Sequence, residues 1–403
     1  MLLLCIKFLW KGFGMRFTLI SAVLLTVACC VGCGKKSGSV KSAGPIEEVN
    51  FDVSMGQGTA DYENIFENPE DAKRYAIIKE LYTKNSLSTC AEQNPPRIPR
   101  IIHQIWVGPK VPPAHFRVFR EKWKQLHPDW EYRLWTDSEI EDLNLGLKDL
   151  IDQSPNYAEK SDIIRAELLD RFGGVYLDVD MDPFRAIDEL NQKYDFWAGV
   201  EHPHQIATTN CRVWIGISII AARPGHPIIR RWKELIRSRW EVVNQTFSSQ
   251  IERVVNHTYF PFSMAFFEQY NADNCVNIAL PTTYFYPLAP NFAAKRMSGV
   301  RAIREKLYDW LEDMNLKKSR PFSRVAPETI AVHYWGNSWL PSQSEQLKDL
   351  QSQMDFLRKE VYRMQGKIRA LEGSRLVATN CESPGTSEPV DSNKADAEQK
   401  LAA

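Results

Sequence analysis

Residues 158–184, AEKSDIIRAELLDRFGGVYLDVDMDPF, leave the chain few ways to fold. Glu159 to Arg171 lacks Gly and Pro, and Ile163, Ile164, Leu168 and Phe172 gather on one helical face. Gly173-Gly174 then supplies left-handed positions that stop a helix. Beyond it, Val175, Leu177 and Val179 point one way on an extended chain, while Tyr176, Asp178 and Asp180 point the other. Asp182 extends the acidic row if the strand continues, and Pro183 takes the chain out of the ladder. Carboxylates on one face of a strand end repel one another unless a cation neutralises them, and hard divalent ions favour oxygen ligands. On the helix just before the turn, Asp162 and Arg165 stand at i, i+3 and can pair.

The elements around this hairpin alternate. Ile98 to Val107 is a β-branched run expected as a buried strand, and Pro112-Pro113 opens a helix carrying Phe116, Phe119 and Trp123. Tyr132 to Trp135 is a short strand, after which Thr136 or Asp137 with Glu139 caps the next helix. Phe196–Glu201 and Ile215–Arg223 read as further strands, and helices are expected over Ile228–Trp240 and Pro261–Tyr270. The expected fold class is α/β, a mostly parallel sheet with helices on both faces. Ligands of such sheets bind at the carboxyl ends of the strands, where Trp106 and the acidic row fall. Ile330, Val332 and Tyr334 alternate with Ala331, His333 and Trp335, so a late strand brings His333 to the same end. On position alone Trp106 reads as a core aromatic or a ring open to a ligand. His333 reads as a satisfied core histidine or a third metal ligand.

The string SDIIRAELLDRFGGVYLDVDMD resembles the DXD-containing sugar-transferase family of GT-A glycosyltransferases, which includes yeast-type initiating mannosyltransferases, and clostridial glucosylating toxins share the pattern. The resemblance implies a GT-A domain and a hexose moved from a UDP- or GDP-sugar to a glycan, lipid or protein acceptor with retention of configuration. It implies Trp106 on the base, Asp162 and Arg165 beside the donor sugar, and Asp178 on ribose or sugar. Asp180 and His333 then ligate Mn²⁺ or Mg²⁺, and Ser338 and Trp339 close over the diphosphate. The chain departs from many relatives where Gly216-Ile217-Ser218 replaces a polar strand position, and at Pro261, which lacks a Gly-Pro turn. The rival readings are a membrane-tethered coiled-coil protein that binds sugar nucleotides without turnover and a metal-dependent phosphoesterase.

Composition narrows the partners. Fifty basic residues against fifty acidic ones leave no nucleic-acid footprint. Phe17 to Gly34 carries no charge and as a helix spans roughly 27 Å, close to a hydrocarbon core. Residues 1–34 therefore read as a signal peptide, a lipoprotein signal at Cys33 or a signal anchor, with membrane attachment through the N-terminus. The expected location is the Golgi lumen for a eukaryotic type II enzyme, and membrane-bound or secreted for a bacterial one. Residues 35–95 are expected as a stem with a helical part, 96–340 as the transferase domain and 373–403 as a disordered tail. Leu347, Leu350, Met354, Leu357, Val361, Met364, Ile368 and Leu371 keep heptad spacing within 341–372, which predicts a coiled coil and a homodimer, or one amphipathic helix on the domain. Cys90, Cys211, Cys275 and Cys381 form no metal-type pair, and Asn244 and Asn256 each begin a glycosylation sequon.

Overall fold

The computed structural model describes residues 44–204, 209–290, 322–336, 359, 361 and 363–365. The leader 1–34, Ser338, Trp339, Cys381 and the tail 373–403 lie outside the described residues, as does most of the heptad segment. Of its apolar positions only Val361 and Met364 are described, both helical and exposed. Among the described residues no helix is long and apolar enough to cross a membrane.

A six-stranded sheet in the order β2-β1-β3-β6-β5-β7 carries the domain. Its strands are β1 (Ile101–Ile105), β2 (Glu131–Trp135), β3 (Gly174–Leu177), β5 (Phe196–Val200), β6 (Ile215–Ala222) and β7 (Asn277–Leu280). The pairs β1·β2, β1·β3 and β5·β7 are parallel, whereas β6 runs antiparallel to both β3 and β5. The sheet is thus mixed, with five strands pointing one way and β6 reversed. That reversal matters for the site, because the N-terminal half of β6 lies beside the C-terminal ends of β3 and β5. β4 (Met181–Pro183) and β8 (Ala331–His333) form a separate antiparallel pair.

The principal helices are α1 (Pro69–Lys84), α2 (Ala114–Leu126), α3 (Tyr157–Phe172), α4 (Pro227–Thr246) and α5 (Phe260–Gln269). Each begins where its sequence offers a cap or a proline. Asn68 accepts from the Glu70 amide, Asn156 from the Ala158 and Glu159 amides, and His226 from the Ile228 amide. The Thr136–Glu139 capping box forms as expected. Helix α2 buries Phe116, Phe119, Trp123 and Leu126, the 3-4 spacing of a core-facing stripe. The described part of the expected stem packs into the same core: Ile46, Phe51 and Met55 are buried with Tyr75, Ile78, Leu81 and Tyr82 of α1. Asp71 of α1 accepts from the Arg212 and Val213 amides, and the Tyr82 hydroxyl lies 3.0 Å from that of Tyr284.

The α3–β3 turn depends on both glycines. Gly173 sits at φ 62°, ψ −153°, a more extended geometry than the left-handed helix cap expected from sequence, and Gly174 sits at φ 90°. A Cβ on Gly174 would lie 2.7 Å from the Ile101 carbonyl oxygen. Gly174→Ala is therefore expected to lower the unfolding free energy by about 2 kcal/mol or more, checked by urea denaturation. Beside it, the buried His103 donates from Nε2 to the Gly173 carbonyl (2.9 Å) and accepts at Nδ1 from the Trp135 indole N–H (3.1 Å). This arrangement requires a neutral ring, and burial pushes the His103 pKa down to about 4. The unfolded chain binds that proton near pH 6.5 and the folded one does not, so the stabilisation is complete above pH 6.5 and is lost as pH falls toward 4. The cost of His103→Gln, a replacement that also donates and accepts but does not titrate, should shrink by about 1.4 kcal/mol per pH unit below 6.5. Denaturation at pH 7.5, 5.5 and 4.5 reads this out.

Candidate active site

The helix–turn–strand hairpin brings its own polar ends together. From Arg165 to Gly173 the helix rises about 12 Å, and from Gly174 to Asp178 the extended chain runs about 13 Å, so Asp178 returns to the level of Arg165. The buried guanidinium contacts Asp162 Oδ1 at 2.6 Å and Asp178 Oδ1 at 3.4 Å and donates to the Ile217 carbonyl at 2.6 Å. Its carbon stands 4.1 Å from the centre of the Tyr176 ring, a cation–π contact. The Tyr176 hydroxyl donates to Asp178 Oδ1 at 2.6 Å, and the Thr258 hydroxyl donates to Asp162 Oδ2 at 2.6 Å. Burial pushes the Asp162 carboxyl up to about 6, although Arg165 and Thr258 pull it down. Burial also raises Asp178, with Arg165 opposing and the Asp180 charge adding to the rise.

The strand expected to continue through Asp180 ends at Leu177. The Met181 amide donates to the Asp178 carbonyl at 3.2 Å, closing a turn, and β4 begins after it. Asp182 therefore leaves the acidic row: it pairs with Lys122 of α2 at 2.6 Å, while Pro183 stays within the β4–β8 ladder opposite Ala331. The same ladder sets Met181 opposite His333 and so carries the histidine to Asp180. His333 Nε2 lies 3.4 Å from Asp180 Oδ1 and 3.7 Å from Asp178 Oδ2. Burial opposes protonation of His333, but the charges of Asp180 and Asp178 outweigh it and the pKa rises. Burial likewise works to raise Asp180, yet His333 and the Gly336 amide hold its carboxyl below the ordinary range.

These three side chains fit a divalent cation by the way their other atoms are committed. Asp178 Oδ1 is taken by Arg165 and Tyr176, and Asp180 Oδ2 accepts from the Gly336 amide at 2.6 Å. Asp178 Oδ2, Asp180 Oδ1 and His333 Nε2 remain, facing one another. The group's ligand atoms lie within 4.8 Å of one another, and it is the one such group among the described residues. Adjacent ligands of an octahedral ion with bonds near 2.1 Å stand about 3 Å apart, so His333 Nε2, at 3.4 Å from Asp180 Oδ1 and 3.7 Å from Asp178 Oδ2, would have to draw closer to both to share an ion.

All of Trp106, Asp162, Arg165, Asp178, Asp180 and His333 line one cavity of about 640 Å³. Trp106 stacks on Phe116 at 6.3 Å with 20° between the rings, and its indole N–H donates to the Lys110 carbonyl. Trp130 and Trp135 are buried elsewhere in the core. The cavity also holds residues the sequence reading did not assign. Glu201, at the end of β5, is buried and accepts from the Tyr259 hydroxyl at 2.9 Å. Ser218 on the reversed strand pairs with the Tyr286 hydroxyl at 2.7 Å. An acid at the end of FWAGVE was a legible signal for Glu201; nothing local marked Tyr259.

Residues 113–197 match the family described as a glycosyltransferase sugar-binding region containing a DXD motif. This stretch is a DXD-type glycosyltransferase region. It contains the α3–β3 hairpin and the Asp178–Asp180 turn, while Trp106 and His333 join from outside it. The chain is 35% identical over 117 residues to mannosyl phosphorylinositol ceramide synthase SUR1 of Saccharomyces cerevisiae, a match covering 28% of this chain and 30% of that protein. It is 30% identical over 143 residues to inositol phosphoceramide mannosyltransferase 3 of Schizosaccharomyces pombe, covering 33% and 35%. The chain thus spans about a third of the length of these curated relatives. Of solved structures, the galactosyltransferase LgtC in complex with donor and acceptor sugar analogs aligns at 12% identity over 59% of this chain and 88% of that one, with a TM-score of 0.34.

Arg165 is the member of this DXD region whose loss should be felt most. Arg165→Met leaves Asp162 buried beside no cation and is expected to destabilise the fold by about 3–5 kcal/mol. Adding Asp162→Leu should recover a large part of that loss, a coupling that a double-mutant cycle by urea denaturation measures.

Proposed function

We propose that the chain is a divalent-metal-dependent glycosyltransferase that moves a hexose from a UDP- or GDP-linked donor to a glycan, lipid or protein acceptor with retention of configuration. The observation that carries this reading is the convergence of the uncommitted atoms of Asp178, Asp180 and His333 in the cavity that Trp106 and Arg165 also line. Asp178, Asp180 and His333 would hold Mn²⁺ or Mg²⁺, which when bound supplies electrostatic stabilisation of charge on a departing diphosphate.

The chain's own residues would do the rest. Phe116 covers one face of Trp106, and the other face would receive the base of the nucleotide. Arg165 is fixed by two carboxylates, the Ile217 and Ser161 carbonyls and a ring, so it would present its charge to the donor without reorganising. Asp162 would accept from sugar hydroxyls. Ser338 and Trp339 would complete the donor side, with Gly336 marking where that segment leaves Asp180: a Cβ there would lie 3.0 Å from Asp180 Oδ2. The transferase unit would run over 96–340 with the residues from Ile46 packed against it, tethered to a membrane by the leader 1–34. The curated relatives are named for inositol phosphoceramide acceptors and mannosyl transfer, so GDP-mannose and a lipid bearing inositol phosphate head the substrates to try.

The purified chain with Mn²⁺ and a panel of UDP- and GDP-sugars is expected to release nucleotide from one donor. EDTA should abolish the release, and Asp180→Ala or His333→Ala should reduce it by about a hundredfold or more. Donor binding by calorimetry without release from any sugar would instead favour a sugar-nucleotide-binding protein that does not turn over.

A further inference from the structure

The run 250–269 is one continuous helical stretch with a π turn, Val255–Tyr259, between the short helix Gln250–Val254 and α5. Its wider turn is closed by the Phe260 amide donating to the Val255 carbonyl, five residues back. Pro261 follows and has no amide to offer, so a regular helix could not satisfy the His257 carbonyl here. The Trp232 indole N–H of α4 pins the turn from outside, donating to the Thr258 carbonyl at 2.8 Å.

Three successive side chains of this turn each meet a different buried carboxylate. His257 Nδ1 lies 2.6 Å from Glu159 Oε1, and its ring stacks on Trp240 with centres 4.0 Å apart. Thr258 Oγ1 donates to Asp162 Oδ2 at 2.6 Å. The Tyr259 hydroxyl donates to Glu201 Oε2 at 2.9 Å. Glu159 and Asp162 belong to α3 and Glu201 to the end of β5, so one turn ties the helix of the DXD hairpin to the carboxyl end of an interior strand. Asn256-His257-Thr258, a glycosylation sequon by sequence, is buried, and the Asn256 amide donates to the Glu252 carbonyl at 2.9 Å. The triplet is thus part of the core.

We propose that the π turn is the positioning element of the sugar end of the cavity: Thr258 fixes Asp162, and Tyr259 fixes Glu201, so that two carboxylates from separate elements face the same donor hexose. This rests on reading the cavity as a nucleotide-sugar site. Thr258 is a positioning residue, because its single hydroxyl proton is spent on Asp162 Oδ2 at 2.6 Å, with the Val254 carbonyl at 2.9 Å sharing it. Asp162 already has Arg165 on Oδ1; the threonine settles which way Oδ2 turns. Glu201 becomes the second acceptor on the hexose, from the same cavity lining as Asp162.

The test compares wild type, Thr258→Val, Thr258→Ser and Tyr259→Phe in the presence of Mn²⁺. The probes are the nucleotide sugar that wild type turns over and the matching free nucleoside diphosphate. A hydrogen bond to a charged group is at stake, so Thr258→Val should lose about tenfold or more in kcat/KM, with Ser restoring it. Calorimetry should show the nucleotide sugar bound about tenfold more weakly by Thr258→Val, while the free diphosphate binds as to wild type. Tyr259→Phe, which removes one oxygen and keeps the ring, should weaken the sugar nucleotide in the same selective way. Equal weakening of both ligands, or wild-type kcat/KM in Thr258→Val and Tyr259→Phe, would overturn the inference. If Thr258→Val does not fold, wild-type discrimination in Tyr259→Phe alone decides against it. Absence of binding and turnover by wild type would instead bring down the nucleotide-sugar reading itself.

Discussion

A buried guanidinium organises the polar half of this domain. Arginine keeps its charge under any condition in which the protein is folded, so burial obliges the fold to gather acceptors around it. Asp162 comes from α3, Asp178 from the end of β3, the Ile217 carbonyl from β6 and the Tyr176 face from β3 itself. Because β6 is reversed, it offers its early residues to the same sheet end as the late residues of β3. Satisfying Arg165 also decides what Asp178 can do: one oxygen is committed to the arginine and to Tyr176, and the other is left facing His333. The cation-type group is in this sense a consequence of the arginine's coordination.

The local parts of that arrangement were legible in the sequence. Helix spacing, the Gly-Gly stop and the i, i+3 pair are properties of a few consecutive residues, and rise per residue brings Asp178 level with Arg165. The bend after Leu177 was not legible. Asp178, Asp180 and Asp182 alternate with apolar residues whether the chain runs straight or turns, so periodicity cannot separate the two. What decides is β8, some 150 residues away, which captures residues 181–183 and leaves Asp182 to Lys122. The reversal of β6 was hidden for a similar reason, since a buried strand has the same composition in either direction. Residues 44–59 read as stem by their Gly and Ser content, yet Ile46, Phe51 and Met55 are enough to seat that segment in the core.

Charge balance joins these observations. Asp162, Asp178, Asp180 and Glu201 share one cavity whose lining includes two permanent cations, Arg165 and Lys110. Burial raises the Asp162, Asp178 and Glu201 carboxyls, while Asp180 is held down chiefly by His333, with the Gly336 amide adding to it. His333 rises in turn, drawing a proton toward the place where the uncommitted ligand atoms meet. A proton and a divalent cation compete for the same imidazole nitrogen, so the field that raises His333 is also the field that would hold a metal. Any affinity of that group for a cation would therefore share its cause with the affinity for protons, the surplus of buried negative charge that Arg165 alone does not cancel.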